Sequence, residues 1–252
     1  MKIALPATRH KLMDLDFNLR TIKECAGKSD IVVFPEMFLT GYLLRDRVFR
    51  YAQSVMDKFT REISGIAGAF GTTIVCGMPE FDAQKKLVYN SAMIFLPDER
   101  IISYRKRKLA TFGPFDETFY FVPGNEECIF EVSGVRVGIL ICYEIFFPEI
   151  AKRYAQSGID LLICISASPS TTKQFFEAVL PARAIENTIF VAYSNLLGTE
   201  QNFVFWGGQR IYSPRGELLV SIPPYTSGEL IYDIEVERIK SARHLRPTLK
   251  DS

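Results

Sequence analysis

The sequence predicts an α/β fold built around a mixed sheet, and three observations predict it. Short apolar runs rich in Val and Ile alternate with longer amphipathic stretches along the whole 252 residues. Two turn sequences, Pro97-Asp98-Glu99-Arg100 and Ser213-Pro214-Arg215-Gly216, join strand-like segments as hairpins, which sets antiparallel pairs beside the βα units. No linker, low-complexity tract or fixed-period repeat interrupts the alternation, so residues 1–252 read as one domain.

Each element has its own signal. Residues 14–26 place Leu15, Leu19, Ile22 and Ala26 on one helical face. The run 31–34 is a strand closed by Pro35. Residues 50–70 repeat the helical spacing through Val55, Phe59, Ile63, Ile66 and Ala67, and 73–77 is the next strand. The first hairpin joins 91–96 to 101–104. Strand 135–141 leads into a helix over 147–157 with Pro148 in its first turn, where the missing N–H costs nothing. Strand 160–165 precedes a long helical stretch ending in Pro181-Ala182-Arg183-Ala184-Ile185-Glu186-Asn187. Pro181 there either starts that helix or kinks it. Strands at 188–194, 209–212, 217–220 and 229–234 complete the set.

Composition excludes several function classes. The formal net charge is +1, and Arg105-Lys106-Arg107-Lys108 is the single dense basic run, so no nucleic-acid partner is expected. The five cysteines, Cys25, Cys76, Cys128, Cys142 and Cys164, form no CxxC pair and read as reduced thiols of a cytoplasmic protein. Met1–Pro6 is too short in apolar residues for a signal peptide, and no apolar run reaches membrane-span length, so no membrane partner is expected. The two histidines, His10 and His244, lack metal-ligand neighbours at helical or hairpin spacing, which argues against a metal site and against a Ser-His-Asp triad. No Gly-rich phosphate loop follows a strand, so nucleotide binding finds no support and no cofactor is expected.

Four segments carry candidate chemistry. In Gly138-Ile139-Leu140-Ile141-Cys142-Tyr143-Glu144 a buried strand runs into a cysteine and then a bend. Ligands in α/β sheets gather outside the carboxyl ends of strands, so a thiol there is either a nucleophile or a packed core cysteine. Phe34-Pro35-Glu36-Met37-Phe38 puts a carboxylate at another strand end among apolar neighbours. Desolvation there would raise its pKa, as suits a general base, although a surface loop glutamate fits equally. The basic run after the hairpin could aim a lysine at an oxyanion or be a solvated face. Glu117 sits among Phe112, Phe115, Phe119, Tyr120 and Phe121, as a pocket wall or an aromatic-anchored loop.

Taken in order, these segments resemble the nitrilase superfamily of carbon–nitrogen hydrolases over essentially the full chain. Phe-Pro-Glu-x-Phe-x-Thr-Gly-Tyr is similar to the block of its catalytic glutamate, Glu36. Tyr104-Arg105-Lys106 is similar to the lysine block, with the Tyr-x-Lys register pointing to Lys106 rather than Lys108. Ile141-Cys142-Tyr143-Glu144 with Phe147-Pro148-Glu149 is similar to the nucleophile block, and Glu117 to a second site glutamate. Residues 182–187, Asn195-Leu196-Leu197-Gly198 and Phe205-Trp206-Gly207-Gly208-Gln209 fit later signatures. The resemblance implies a four-layer α-β-β-α sandwich with mixed sheets, a homodimer or higher homo-oligomer, and a cysteine-dependent amidase needing no cofactor. Cys142 would be the nucleophile, Glu36 the base, Lys106 the oxyanion donor and Glu117 a positioning carboxylate. Tyr42, Phe112, Tyr143 and Ser166 would meet the substrate, a small linear amide or N-carbamoyl compound. A nitrile, or a catalytically silent binding module, is the alternative. Two departures stand out: Leu5-Pro6 where the family often has a polar residue, and Lys108 where it usually has histidine. The loop Ser166-Ala167-Ser168-Pro169-Ser170 is similar to glutamine-amidase members, which favours a small carboxamide.

Overall fold

Two six-stranded mixed sheets face each other in the computed structural model, which describes residues 1–249. The first contains β1 (Lys2–Ala7), β2 (Ile31–Val33), β3 (Thr73–Asp82), β4 (Leu87–Phe95), β5 (Ile101–Arg105) and β14 (Gly228–Asp233), in the order β14-β1-β2-β3-β4-β5. The second contains β6 (Ile129–Val132), β7 (Val135–Ile141), β8 (Leu161–Ser166), β9 (Phe190–Asn195), β12 (Arg210–Tyr212) and β13 (Leu218–Ser221), in the order β13-β12-β9-β8-β7-β6. A separate hairpin pairs β10 (Leu197–Glu200) with β11 (Phe203–Trp206). The pairs β1–β2, β2–β3, β7–β8 and β8–β9 are parallel and the others antiparallel.

Strand alternation sorts the core into layers. Odd positions of β1, β7 and β8, such as Ile3, Leu5, Ile139, Ile141 and Ile163, meet between the sheets. Even positions of the first sheet (Ala4, Val32, Ile74) pack outward against α1 (Leu15–Cys25) and α3 (Lys58–Phe70). Leu140, Leu162 and Cys164 pack outward against α4 (Pro148–Gln156) and α5 (Lys173–Asn187). The result is an α-β-β-α stack. Because both faces of each sheet are covered, the central strands read as continuous apolar runs rather than alternating ones. Asp14 caps α1 by accepting the Phe17 amide at 3.0 Å.

Three local expectations change. The helix expected over 50–70 is two helices: α2 (Val48–Tyr51) stops, and α3 begins at Lys58. Between them Gln53 leaves the helical path to bridge the end of β3. Its amide donates to Pro79 O at 2.9 Å and its carbonyl accepts from Phe81 N at 3.0 Å, while Val55 lies exposed. Pro181, expected either to start its helix or to kink it, does not start it but sits inside α5. Beyond the expected strands, β6, the β10–β11 hairpin and α6 (Glu237–Leu245) are also present. Among the described residues, no helix is long and apolar enough to cross a membrane.

Candidate active site

The ends of four strands converge on one point between the sheets. β2 and β5 end just before Glu36 and Lys106, β7 just before Cys142, and β8 just before Ala167. β5 runs in the same sense as β2 and β3, because two antiparallel steps separate it from β3. Both sheets therefore present carboxyl ends to the same cleft, where α/β sheets bind ligands.

Lys106 is the hub. Its Nζ donates to Glu36 Oε1 at 2.8 Å and Glu117 Oε1 at 2.7 Å, and all three side chains are 2% exposed or less. Burial alone would lower the ammonium's pKa, but Glu117 and Glu36 hold it above its ordinary value, so the lysine stays charged. Glu36 is fixed from every side: Asn90 Nδ2 donates to Oε1 at 2.7 Å and the Ala167 amide to Oε2 at 2.7 Å. Its loop lies on β3 with Met37 at φ 55°, and Leu39 N donates to Gly77 O at 3.3 Å. Gly77 allows this close approach. A Cβ at that position would fall 2.5 Å from Glu36 Cα, Met37 N and Pro35 O.

Glu117 Oε1 also accepts from the Tyr42 hydroxyl at 2.9 Å, and Oε2 from the Ala110 amide at 2.8 Å. Burial raises the Glu117 carboxyl, with Lys106 opposing. Burial, then Glu117 and Glu36, likewise push the Tyr42 phenol well up.

Cys142 sits at φ 52°, a left-handed conformation that costs a non-glycine residue on the order of 1–3 kcal/mol. The next residues, through Phe146, form a single tight helical turn. The first N–H groups of such a turn, that of Tyr143 among them, lack intrahelical acceptors. Burial pushes the Cys142 thiol well above its ordinary value; Glu36 adds to the rise and Lys106 opposes it. The resting sulfur is thus a neutral thiol.

Two buried carboxylates that the motifs left without a role hold this geometry. Glu144 accepts from Ile141 N at 2.8 Å, Arg107 N at 2.8 Å and the Tyr104 hydroxyl at 2.8 Å to each oxygen. It therefore ties the residue before Cys142 to the residue after Lys106. The sequence signal was present: a glutamate three residues past a helix N-cap reaches back to the cap's amide. Glu200, on β10, accepts from Tyr42 N at 2.9 Å and Leu43 N at 2.7 Å and pairs with the buried His10 ring. No local pattern marks Glu200 or Asn90, which act across 158 and 54 residues of chain.

A cavity of about 330 Å³ opens onto Cys142 and Glu117. Tyr42, Phe112 and Tyr143 line it, where the motifs had put substrate contacts. Ser166 does not. It ends β8 fully buried, its Oγ 3.8 Å from Cys164 Sγ, because the chain must first turn to bring Ala167 N to Glu36; Ser168 reaches the wall instead. Lys108 is exposed, its Nζ 5.2 Å over the Phe147 ring, so Lys106 alone of that pair enters the site.

A buried Glu-Lys-Glu array beside an elbow cysteine is the equipment of a thiol-dependent hydrolase. Comparison with known proteins agrees. The sequence profile of the carbon–nitrogen hydrolase family matches residues 2–244, and the chain belongs to that family. It is a cysteine-dependent carbon–nitrogen hydrolase with amidase- and nitrilase-like relatives. A nitrilase of Pyrococcus abyssi is 30% identical over 253 residues, 96% of this chain and 93% of that one. The glutamine-dependent NAD(+) synthetase of Aquifex aeolicus is 30% identical over 237 residues, 90% of this chain but 40% of the longer enzyme. A mutant of the amidase from Nesterenkonia sp. AN1, 27% identical, superposes with a TM-score of 0.83 over 97% of each chain, and in that mutant acrylamide has added at the active-site cysteine.

Proposed function

We propose that the protein hydrolyses the non-peptide C–N bond of a small linear amide through a thioester on Cys142. One observation carries this: a charged lysine shared between two buried glutamates, 2.8 and 2.7 Å away, beside a cysteine that lines the cavity in a left-handed elbow.

Because the resting thiol is neutral, a base must take its proton as the S–C bond forms. Glu36 is that base. The thiolate attacks the amide carbon, and the oxyanion is held by the Lys106 ammonium and the Tyr143 amide. Losing one such donor typically costs about 3 kcal/mol of barrier. Glu36 then passes the proton to the departing nitrogen, the C–N bond breaks, and ammonia or an amine leaves. A water that gives its proton to the same carboxylate attacks the thioester. The acid departs and the proton returns to sulfur. Glu117 keeps Lys106 in place through the 2.7 Å bond while Tyr42 and Ala110 hold Glu117. The five unpaired cysteines favour a reducing, cytoplasmic setting, and a homodimer is the assembly expected from the family.

The test is ammonia release from a panel of amides, N-carbamoyl compounds and nitriles, with intact-mass detection of an acyl adduct on Cys142. Cys142→Ala should show neither product nor adduct. Undiminished amidase activity in that variant would remove the mechanism, and turnover of nitriles alone would favour a nitrilase.

A further inference from the structure

We infer, resting on the amide-cleaving function proposed above, that the acyl group of the substrate is uncharged and apolar, an aryl or branched alkyl chain, rather than one ending in a carboxylate or an amino acid head. The wall of the Cys142 cavity carries this. Beyond Cys142 and Glu117 it is formed mainly by Phe112, Phe115, Phe146, Phe175, Phe176 and Tyr143. Phe112 and Phe175 are 47% and 52% exposed, so they form its rim, a place where large apolar side chains otherwise gain nothing from facing water.

The Ser168, Thr172 and Tyr42 hydroxyls of the wall are engaged within the protein, and apart from Glu117 no charged side chain lines it. Trp206 Nε1, which can only donate, gives its hydrogen to Ser168 Oγ at 3.2 Å. Thr172 Oγ1 gives its own to Pro169 O at 3.0 Å. The Ser168 and Thr172 hydroxyls also bond each other at 2.7 Å, so both are engaged inside the protein. The Tyr42 hydroxyl hydrogen goes to Glu117, whose other oxygen is taken by the Ala110 amide. Nearby cations are engaged elsewhere: Lys173 Nζ with Glu177 at 3.0 Å, and Lys108 over the Phe147 ring. A carboxylate or ammonium on the acyl chain would lose its water and gain no counter-charge. An apolar ring loses nothing. An apolar cavity of about 150 Å³ takes up benzene, so the 330 Å³ here holds a ring, a short spacer and the reacting carbonyl.

The experiment measures kcat/KM for phenylacetamide and 3-phenylpropanamide against L-glutamine and succinamate, with the Cys142 acyl adduct followed by intact mass in every case. The aryl amides should exceed the charged amides by at least about a hundredfold, the scale on which a buried unpaired polar group discriminates. Glutamine or succinamate that acylates Cys142 as well as the aryl amides do would overturn the substrate class and leave the function standing. No adduct from any amide would bring down the function, and the substrate class with it. In a second arm, Phe175→Arg at the half-exposed rim should shift the aryl-to-succinamate ratio toward succinamate by at least about tenfold. An unmoved ratio would mean the acyl group does not lie against this wall.

Discussion

Glu144→Gln isolates the strut under the site without changing its volume. In the native chain both carboxylate oxygens accept, one from Ile141 N and the other from Arg107 N, each at 2.8 Å, with the Tyr104 hydroxyl shared between them. Glutamine has one acceptor oxygen, and its NH₂ would face whichever amide loses out, setting donor against donor. A buried N–H left without an acceptor costs about 1–3 kcal/mol, and for a chain this long each kcal/mol lowers Tm by roughly 2–4 °C. The two amides flank Cys142 and Lys106, so the strand ends that carry them should drift. A misplacement near 1 Å costs on the order of a hundredfold in rate. The expectation is kcat down about tenfold to a hundredfold with KM changed far less. The pH dependence separates a strut from a mere packing loss. Burial raises the Glu144 carboxyl above its usual range. A carboxyl raised on folding contributes stability that is fully present below its unfolded value, about 4.3, and is lost as pH rises through the folded value. The glutamine variant lacks that titration, so its deficit in urea unfolding should narrow from pH 4 to pH 8. Wild-type kcat, or a pH-independent deficit, would refute the role given to this carboxylate.

Four other outcomes follow from the same geometry. Gly77→Ala should keep the fold, since the clash is with one loop, yet lose at least about tenfold in kcat as Pro35–Met37 shifts away from its 2.5 Å contacts; unchanged kinetics would count against a rigid Glu36. Lys106→Met should lower kcat by about 10²–10³ and destabilise by about 3–5 kcal/mol, because it strands two buried carboxylates; thermal melts and steady-state rates read the two effects separately. Alkylation of Cys142 by iodoacetamide should keep accelerating as pH rises past 9, as befits a thiol pushed up by burial; a plateau near pH 7 would show a resting thiolate. Glu200→Gln should raise KM more than it lowers kcat, because Glu200 holds the Tyr42 and Leu43 amides on one wall of the cavity rather than the reacting atoms; a pure kcat effect would place the residue elsewhere in the mechanism.

What the chain reveals by itself depends on how far apart the cooperating groups lie. Strands such as Val135–Ile141 were legible because two covered sheet faces leave no polar alternation, and the helix after them because Pro148 is favourable only in a first turn. From its own segment Cys142 was legible only as a residue at a bend, and as a nucleophile only through the ordered set of motifs, since packed Cys164 in the adjacent strand sits in an equally apolar run. The break at Gln53 escaped because its cause is a bridge to Glu80 rather than a local breaker, and Ser166 was preferred to Ser168 because only the turn after β8 decides which serine reaches the cavity. Asn90, the Ala167 amide and Glu200 reach their partners across 54, 131 and 158 residues, so no spacing pattern could mark them.

The buried charges also explain why an apolar cavity suits this centre. The net charge of the cluster is held away from water, because Glu36, Glu117 and Lys106 are all buried. Moving the thiol proton to Glu36 leaves that total unchanged, so the proposed first step needs no ion to enter or leave a low-dielectric site. The negative charge only changes address: from carboxylate to sulfur, then to the amide oxygen beside Lys106, where it is paired most directly. A charged acyl group would break this balance at every stage. It would bring an unpaired charge into a low-dielectric cavity and disturb the pairing of the forming oxyanion with Lys106. Neutral apolar substrates leave the lysine free for the one charge that appears during the reaction, and the aromatic wall around Cys142 excludes the water that would weaken that pairing.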